Sequence, residues 1–331
     1  MQHNGTLLLD RSEVCKLLTL RECIEAVESV FRLQGEGKIP PSGILGVKAK
    51  GGGLHVKAGL LPAEKSYLVT KLNTNYPANR TRFGLPTIQG MIVVCDAENG
   101  APLAILDSID ITIKRTAAAT AVAAKYLARK NSLVATICGC GAQGRPQLRA
   151  MLCVLRLNKV FAFDLDANAA KNFAKELADE LKIDIEPVGD PAKAIQQSDI
   201  VITCTTSTEF FVRKEDVSPG TLIAAVGADD ERKQEIEPAL IASSKIIADS
   251  LDQVCTIGDT HHAIAQGLMR EENVYAELGE IVAGKKPARK SDDEIFIFDS
   301  TGVAIEDAVS AVAVYEKARA AGIGSYFKFA A

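Results

Sequence analysis

The segment from Gly139 to Gly144 reads Gly-Cys-Gly-Ala-Gln-Gly and carries the clearest chemical signal in the sequence. It fits the pattern G-x-G-x-x-G, follows an apolar strand that ends at Cys138, and opens a predicted helix. In that setting the glycines allow a tight turn, a close approach of the backbone to a pyrophosphate, and close packing of helix on strand. The helix N-terminus then faces the phosphates. We therefore predict a dinucleotide site.

Asp164 stands twenty residues after Gly144, at the end of the next predicted strand. A carboxylate at this position accepts hydrogen bonds from the adenosine ribose. The 2′-phosphate of NADP would meet its negative charge, and neither Leu165 nor Asp166 supplies the Arg that accommodates such a phosphate. The sequence therefore favours NAD(H) as the cofactor.

Three charged residues could form a site for an amino acid: Lys71, Arg115 and Asp229. Two cations suit the α-carboxylate, which an Arg can hold through two hydrogen bonds, and one anion suits the ammonium group. An isolated Lys or Asp more often belongs to a surface ion pair. Lys71 lies inside an apolar strand, however, and Asp229 follows the end of one, which favours a functional site.

The first part of the chain, which must position Lys71, mixes helix and strand. A helix is predicted over Ser12–Gly37 from its apolar spacing, and a packed helix rich in Ala and Thr over Asp110–Arg129. Between them we predict a hairpin at Asn99-Gly100 and extended segments. These segments are Leu54–Leu61, Tyr67–Asn73 and Thr87–Asp96.

After Asn131 the pattern changes to strand, turn and helix in repetition, which predicts a doubly wound, mostly parallel sheet. The predicted strands are Leu133–Cys138, Val160–Asp164, Asp184–Val188, Asp199–Thr205, Thr221–Val226, Lys245–Ala248 and Ile295–Asp299. The last strand leads into a predicted helix over Val303–Ala320.

Length and composition limit the class of protein. The chain has 331 residues, more than the roughly 250–300 that one hydrophobic core supports, so we expect two domains. With 47% hydrophobic and 24% charged residues the chain should fold, and its net charge of −4 argues against nucleic-acid binding. No apolar run reaches the ~18 residues that span a bilayer, and the start lacks a secretory pattern. We expect a cytoplasmic protein.

The eight cysteines are spread through apolar segments, which predicts buried free thiols and no disulfide framework. Cys138 and Cys140 are one residue apart, but no second pair completes a tetrahedral zinc site. The adjacent His261 and His262 should point in different directions, and we expect them to be solvated or to act through other residues. No metal is expected.

Several sequence blocks stand in one order along the chain, in addition to the glycine-rich turn. They are Val69–Asn73, Gly84–Thr87, Lys114–Ala118, Val226–Asp229, Lys233–Glu235, Ala276–Glu280 and Phe298–Gly302. On these blocks the chain resembles the ornithine cyclodeaminase/mu-crystallin family, which includes archaeal-type alanine dehydrogenases and cyclic-imine reductases.

The resemblance implies an NAD-binding Rossmann domain, residues 114–303, inserted into a domain for substrate binding and dimerisation, residues 1–113 and 304–331. The fold class expected is thus α/β, a Rossmann-type doubly wound parallel sheet domain plus a discontinuous α+β domain. The expected assembly is a homodimer that binds a small amino or imino acid.

The resemblance also assigns roles to single residues. Arg115 would hold the α-carboxylate, and Lys71 would bind the same carboxylate or the reacting nitrogen. Asp229 would bind the amine and exchange its proton as hydride moves. The residues expected to contact NAD are Thr87, Gly139, Gly141, Ala142, Gln143, Gly144, Asp164, Thr205, Val226, Lys233 and Ser300.

The chain departs from the family pattern in the segment Gly53–Gly59. Where many relatives carry a further Arg for the carboxylate, this chain has His55, with Lys57 on the same face of the predicted strand. Lys57 could replace the missing charge, and the change argues against ornithine as the substrate. Asp229 is kept where vertebrate mu-crystallins carry a small residue, which favours amino-acid chemistry over ligand binding alone.

Three functions remain open from the sequence. The first, which we favour, is an NAD(H)-dependent oxidoreductase, such as an alanine dehydrogenase or a reductase of a cyclic imine. The second is a lyase of the ornithine cyclodeaminase type, which borrows and returns the hydride while a ring closes and ammonia leaves. The third is a ligand-binding protein without turnover. The first two share their first chemical step, so the sequence does not separate them.

Overall fold

A computed structural model describes residues 5–329 and divides into two compact units. The first unit joins the chain up to Arg115 to the chain from Val303 onward, and the second spans Thr116–Gly302. The boundaries predicted at 113/114 and 303/304 lie within two residues of these. The second unit is thus an insertion in the first.

Within the described residues the strands are β1 (Thr6–Leu9), β2 (Gly43–Ala49), β3 (Gly52–Leu61), β4 (Tyr67–Asn75), β5 (Ile88–Asp96), β6 (Pro102–Asp107), β7 (Val134–Cys138), β8 (Lys159–Phe163), β9 (Asp184–Val188), β10 (Ile200–Thr203), β11 (Leu222–Ala225), β12 (Lys245–Ala248), β13 (Ala276–Glu277), β14 (Phe296–Asp299) and β15 (Ser325–Phe327).

The α-helices of the same residues are α1 (Arg11–Leu17), α2 (Leu20–Gly35), α3 (Asn79–Phe83), α4 (Ile109–Leu127), α5 (Gly144–Val154), α6 (Ala167–Leu181), α7 (Pro191–Gln196), α8 (Pro238–Ser243), α9 (Leu251–Val254), α10 (Asp259–Ala265), α11 (Leu278–Val282) and α12 (Ala304–Ala321). Helix α4 passes from the first unit into the second.

The first unit is built on a seven-stranded sheet with the order β15-β1-β6-β5-β4-β3-β2. Strands β1 and β6 are parallel, and the other pairs are antiparallel. Side chains alternate along β4: Tyr67, Val69 and Lys71 are buried, and Leu68 between them is 46% exposed. Helix α12 packs across β3, β4 and β5, so one face of the sheet carries a helix.

Two features of the first unit differ from the sequence prediction. The single helix predicted over Ser12–Gly37 is two helices, because Leu18 is extended and Thr19 starts α2 with a capping box that includes Glu22. The sequence analysis also missed β1, β2, α3 and β15. All residues of β2 are exposed, so the alternation of buried and exposed residues that identifies a strand is absent there.

The second unit contains an all-parallel sheet with the order β13-β12-β14-β11-β10-β7-β8-β9. Its central strands are buried throughout, which explains their unbroken apolar sequences. The strand order reverses between β7 and β10, and ligands of such sheets bind beside this reversal, at the carboxyl ends of the strands. The predicted Rossmann-type α/β fold is confirmed.

All eight cysteines are free, as predicted. Only Cys23, Cys138 and Cys140 are buried, and Cys15 is exposed, so burial was predicted too broadly. Within residues 5–329, no helix is both long and apolar enough to cross a bilayer.

Two glycines at opposite ends of one cross-strand row provide a test of the packing in the first unit. The row runs Gly46, His55, Asn73, Gly90 across β2 to β5. A Cβ on Gly90 would lie 2.1 Å from Oδ1 of Asn73 and 2.3 Å from the carbonyl oxygen of Leu72. A Cβ on Gly46 would meet no atom of the described part of the chain within 4 Å.

We therefore expect Gly90→Ala to lower the free energy of unfolding by about 1–3 kcal/mol, because the strand must shift to accept the methyl group. Gly46→Ala should change it by less than about 0.5 kcal/mol. Urea denaturation at one fixed protein concentration measures both values. Equal stability of the two variants would contradict the packing described for Gly90.

Candidate active site

The glycine-rich turn lies between β7 and α5 and is shaped by close backbone contacts. Gly139 has φ +106°, and a Cβ there would lie 2.8 Å from the carbonyl oxygen of Cys204. A Cβ on Gly144 would lie 2.2 Å from the carbonyl oxygen of Gly139. Gly141, by contrast, is exposed and has open space around its Cα. Among the described residues, the turn therefore leaves open space at Gly141 that a bound group can approach.

The start of α5 adds polar groups beside Gly141. Ala142 is exposed, and Gln143 precedes the helix without a side-chain cap bond. The Oε1 atom of Gln143 is buried and has no hydrogen-bond partner within the described residues. The first backbone N–H groups of a helix also lack partners inside the helix, so this end of α5 suits an anion such as a phosphate.

Asp164 follows β8 and lies beside the turn. Its Oδ2 accepts a hydrogen bond from the backbone N–H of Cys140 at 2.8 Å, and its Oδ1 accepts one from the backbone N–H of Asp166 at 2.9 Å. Arg145 donates from Nη1 to the carbonyl oxygen of Cys140 at 2.6 Å. The two bonds that Asp164 accepts fix its carboxylate where the sequence pattern places the ribose of a dinucleotide.

Glu235 joins the carboxyl ends of β10 and β11. Its buried carboxylate accepts hydrogen bonds from the backbone N–H and the hydroxyl of Thr205, both at 2.7 Å, and from the backbone N–H of Gly227 at 2.8 Å. A Cβ on Gly227 would lie 2.5 Å from this carboxylate, so a larger residue would have to displace it. Burial raises the pKa of Glu235. The sequence blocks included Glu235, but the sequence analysis assigned it no role.

Asp229 lies on the loop that Gly227 and Glu235 close. Its side chain is 58% exposed and forms an ion pair with Lys233 at 2.5 Å. The ring of His262 donates from Nε2 to the carbonyl oxygen of Lys233 at 2.8 Å, which restrains the loop. The bond of His262 to Lys233 agrees with the expectation of histidines that act through other residues. The rings of His261 and His262 lie side by side, with centroids 3.8 Å apart and planes tilted by 44°, so the expectation that they point in different directions was wrong.

The remaining predicted cofactor residues of the second unit also lie at the carboxyl edge of its sheet. Val226 directly follows β11, and Ser300 directly follows β14. The backbone N–H of Ser300 donates to the carbonyl oxygen of Ala225 at 2.9 Å, so the ends of the two strands are tied together. Thr87 is different, because it belongs to the first unit and precedes β5. There its carbonyl oxygen accepts from the backbone N–H of Tyr76 at 2.8 Å.

The first unit gathers buried charges where α4 and α12 meet β4. Lys71 is 5% exposed, and its Nζ lies 2.6 Å from Oδ2 of Asp307. Arg115 donates from Nε to Oδ1 of Asp307 at 3.0 Å and from Nη1 to Oε2 of Glu306 at 2.7 Å. Nε and one N–H of Nη1 of Arg115 are therefore engaged by carboxylates of α12, and a two-bond contact with a substrate carboxylate would use the remaining N–H groups of Nη1 and Nη2.

Lys57 extends this group of charges across the sheet. It lies directly opposite Lys71 on the neighbouring strand, so both side chains are on the face that α12 covers. His55 is on the same face but is exposed, and it lies opposite Asn73. The structure thus brings together Lys57, Lys71 and Arg115 and leaves His55 at their margin.

Burial controls the ionisation of Lys71. It lowers the pKa of Lys71 to about 7, an effect that Asp307 opposes and that the positive charges of Arg115 and Lys57 strengthen. For Asp307, burial acts to raise the pKa, but Arg115 and Lys71 together hold it below its usual value. An amine with such a pKa can gain or lose a proton near neutral pH.

Sequence reasoning missed both carboxylates that organise this group. Glu306 and Asp307 are consecutive residues in an apolar helix, and both are buried. A charged pair inside an apolar helix was the available signal, because buried carboxylates are retained only with partners.

Comparison with known proteins gives the family to which this chain is similar. Residues 4–322 match the ornithine cyclodeaminase/mu-crystallin family. An alanine dehydrogenase from Archaeoglobus fulgidus is 39% identical over 98% of both chains. A solved archaeal alanine dehydrogenase dimer with bound NAD has 38% identity and a TM-score of 0.93, over 98% of this chain and 100% of that one.

A further solved structure is that of Δ1-pyrroline-2-carboxylate reductase from Thermococcus litoralis in complex with NADH and L-proline. It has 38% identity and a TM-score of 0.92, over 97% of this chain and 100% of that one. The matches extend along both units, and they agree with the resemblance inferred from the sequence blocks. This chain belongs to the ornithine cyclodeaminase/mu-crystallin family.

Proposed function

We propose that this protein is an NAD(H)-dependent oxidoreductase that interconverts an amino acid and its imino acid. The observation that carries the proposal is the group of Lys57, Lys71 and Arg115 around two buried carboxylates, in a chain that also has a dinucleotide turn. With all five groups ionised, one positive charge exceeds the negative ones, which suits one substrate carboxylate. The similar alanine dehydrogenase and pyrroline-2-carboxylate reductase support this chemistry.

The second unit fits NAD(H). Gly141 leaves room for a pyrophosphate, the N-terminus of α5 suits its charge, and Asp164 is fixed beside the turn to accept from a ribose hydroxyl. The Oε1 atom of Gln143, which has no partner among residues 5–329, offers one further polar contact. NAD(H), when bound, supplies the acceptor or donor of the hydride.

The substrate carboxylate would be held by charge in the first unit. Lys57 and Lys71 present ammonium groups, and Arg115 is fixed by Asp307 and Glu306. Asp229 would accept the proton that the substrate amine loses as hydride leaves Cα, and would return it in the opposite direction. In the oxidation direction, water then hydrolyses the imino acid to a keto acid and ammonia.

The deciding experiment incubates the protein and NAD with a panel of amino acids and follows both NADH absorbance and ammonia. A rise in both signals supports the proposal. Ammonia without NADH would identify a cyclodeaminase, and neither signal would identify a binding protein. Reduction of pyrroline-2-carboxylate with NADH extends the assay to cyclic imines.

On a substrate found in this way, we expect Asp229→Asn to lower kcat by about 10²–10⁴-fold, because the variant keeps the size of the side chain but removes the base. Binding of NADH, measured by fluorescence, should be unchanged. Lys71→Met should instead weaken substrate binding together with turnover. Turnover by Asp229→Asn within a few-fold of the parent would refute the proposed role of Asp229.

We also expect NAD(H) to bind more tightly than NADP(H) by one to two decades, since loss of a charge-assisted hydrogen bond costs about 1.5–3 kcal/mol. Asp164→Ser removes the charge that would face a 2′-phosphate, so it should reduce the ratio of the affinity for NAD(H) to the affinity for NADP(H). Calorimetry with both cofactors on both proteins measures this. An unchanged preference in Asp164→Ser would place the ribose contact elsewhere.

The assembly belongs to the same proposal. The face of the first unit's sheet that α12 does not cover carries the cross-strand row Leu45, Val56, Leu72 and Met91, in which Leu45 is 58% and Met91 is 45% exposed. An apolar sheet face of this kind needs a cover. We infer a homodimer in which a second copy covers it, as supported by the similar alanine dehydrogenase dimer.

The free cysteines fit a reducing compartment, and we place the enzyme in the cytoplasm.

Leu68→Glu tests the dimer, because Leu68 is 46% exposed on the same open face. We expect this variant to sediment as a folded monomer at micromolar concentration, since a carboxylate buried between two copies would lack a partner. Leu268→Glu, at a residue 49% exposed in the second unit, is the matched control and should remain dimeric. A monomeric parent protein would contradict the proposal directly.

A further inference from the structure

Asp307 is the common acceptor of the buried cations in the first unit. Its Oδ2 lies 2.6 Å from Nζ of Lys71, and its Oδ1 accepts from Nε of Arg115 at 3.0 Å. It is 1% exposed and lies in the first turn of α12. The carboxylate therefore touches two residues that the proposed function assigns to the substrate, although it is itself enclosed by protein.

The charged groups that face Lys71 come from three elements. Asp307 faces it from α12, Arg115 from α4, and Lys57 from β3. On the other side of β4, the cross-strand neighbour of Lys71 on β5 is the apolar Ile92. Asp307 is thus the one negative charge among these neighbours of Lys71. It favours the charged form of Lys71, which the positive charges of Arg115 and Lys57 disfavour.

We propose that Asp307 is a positioning residue that acts through Lys71, orienting its ammonium group and keeping it charged for the substrate carboxylate. This inference rests on the proposed function, because Lys71 is one of the residues assigned there to the substrate carboxylate. A buried amine beside two other cations loses its proton readily unless an anion is in contact with it. Asp307 supplies that anion, and its two oxygens hold Lys71 and Arg115 in fixed relative positions.

A purely structural role for Asp307 is the competing explanation. Acidic residues in the first turn of a helix commonly stabilise the helix, because their negative charge interacts favourably with the helix dipole. In that case Asp307→Asn would lower stability and leave the titration of Lys71 where it is. The proposed role predicts a change in that titration.

The experiment follows Lys71 directly in the full-length protein labelled with 13Cε-lysine. The NMR signal of Lys71 is identified by its absence from Lys71→Met. In the parent it should titrate near pH 7. In D307N the midpoint should move to lower pH by at least about one unit, because the charged form has lost its partner.

Glu306→Gln is the matched control, because it removes the same charge from the preceding residue of the same helix. Glu306 contacts Arg115 through its carboxylate, so the Lys71 signal should titrate close to the parent midpoint. An unchanged Lys71 midpoint in folded D307N would overturn the proposal. An equal shift in D307N and Glu306→Gln would overturn it too, since the effect would then be a general loss of charge.

If D307N does not fold, Lys57→Met provides a second test of the proposal. It leaves Asp307 in place and removes a competing cation, so the midpoint of Lys71 should move to higher pH. No shift in Lys57→Met would overturn the electrostatic control on which the proposal depends.

Kinetics provide the link to function. If charged Lys71 binds the carboxylate, kcat/KM should fall as pH rises through the Lys71 midpoint, and D307N should move that fall to lower pH, mainly through KM. If the parent turns over no amino or imino acid, the proposed function fails, but the NMR titration still decides the role of Asp307. A shift in the NMR midpoint without a shift in the kcat/KM profile would overturn the link to substrate binding.

Discussion

Moving an ammonium group from water into the protein interior costs several kcal/mol, and a carboxylate in direct contact offsets part of this cost. Lys71 is in that position, and Asp307 provides this carboxylate from a different part of the chain, far along the sequence. The short Asp side chain reaches Lys71 only because α12 lies close to the sheet. Small residues permit this approach: Ala304 and Ala308 are buried on α12, and a Cβ on Gly59 of β3 would lie 3.6 Å from that of Ala304.

Buried carboxylates play a comparable part in the second unit, but there they bind backbone N–H groups. Asp299 accepts from the backbone and hydroxyl of Thr260, and Asp259 accepts from the backbone N–H groups of Glu235 and Ile236. Glu235 then binds the ends of β10 and β11. Burial raises the pKa of each of these three acids. Together they connect the carboxyl ends of several strands to the loop that carries Asp229.

The parts of the protein that sequence predicted well are those in which the information is local. The turn from Gly139 to Gly144 and the carboxylate at Asp164 depend on close backbone contacts within one strand-turn-helix unit, and the structure places them together. The break at Thr19 was missed because its capping box lies inside a continuous apolar pattern. Asp307 was missed for a different reason: its partners, Lys71 and Arg115, are remote in sequence, and no local pattern connects them.

The balance of charge in the first unit also bears on the choice between oxidoreductase and lyase. A cyclodeaminase acts on a diamino acid, whose second ammonium group needs a carboxylate or another acceptor. The face of β3 and β4 beneath α12 presents His55, Lys57 and Lys71, and the carboxylates beside them, Glu306 and Asp307, already bind cations. The α-carboxylate of the substrate would balance the one excess positive charge, so a second ammonium group placed here would add a positive charge that no negative charge among these groups balances. Like charges at such distances repel in a poorly solvated site. These residues therefore favour an amino or imino acid without a second ammonium group, which is the substrate class of the oxidoreductase.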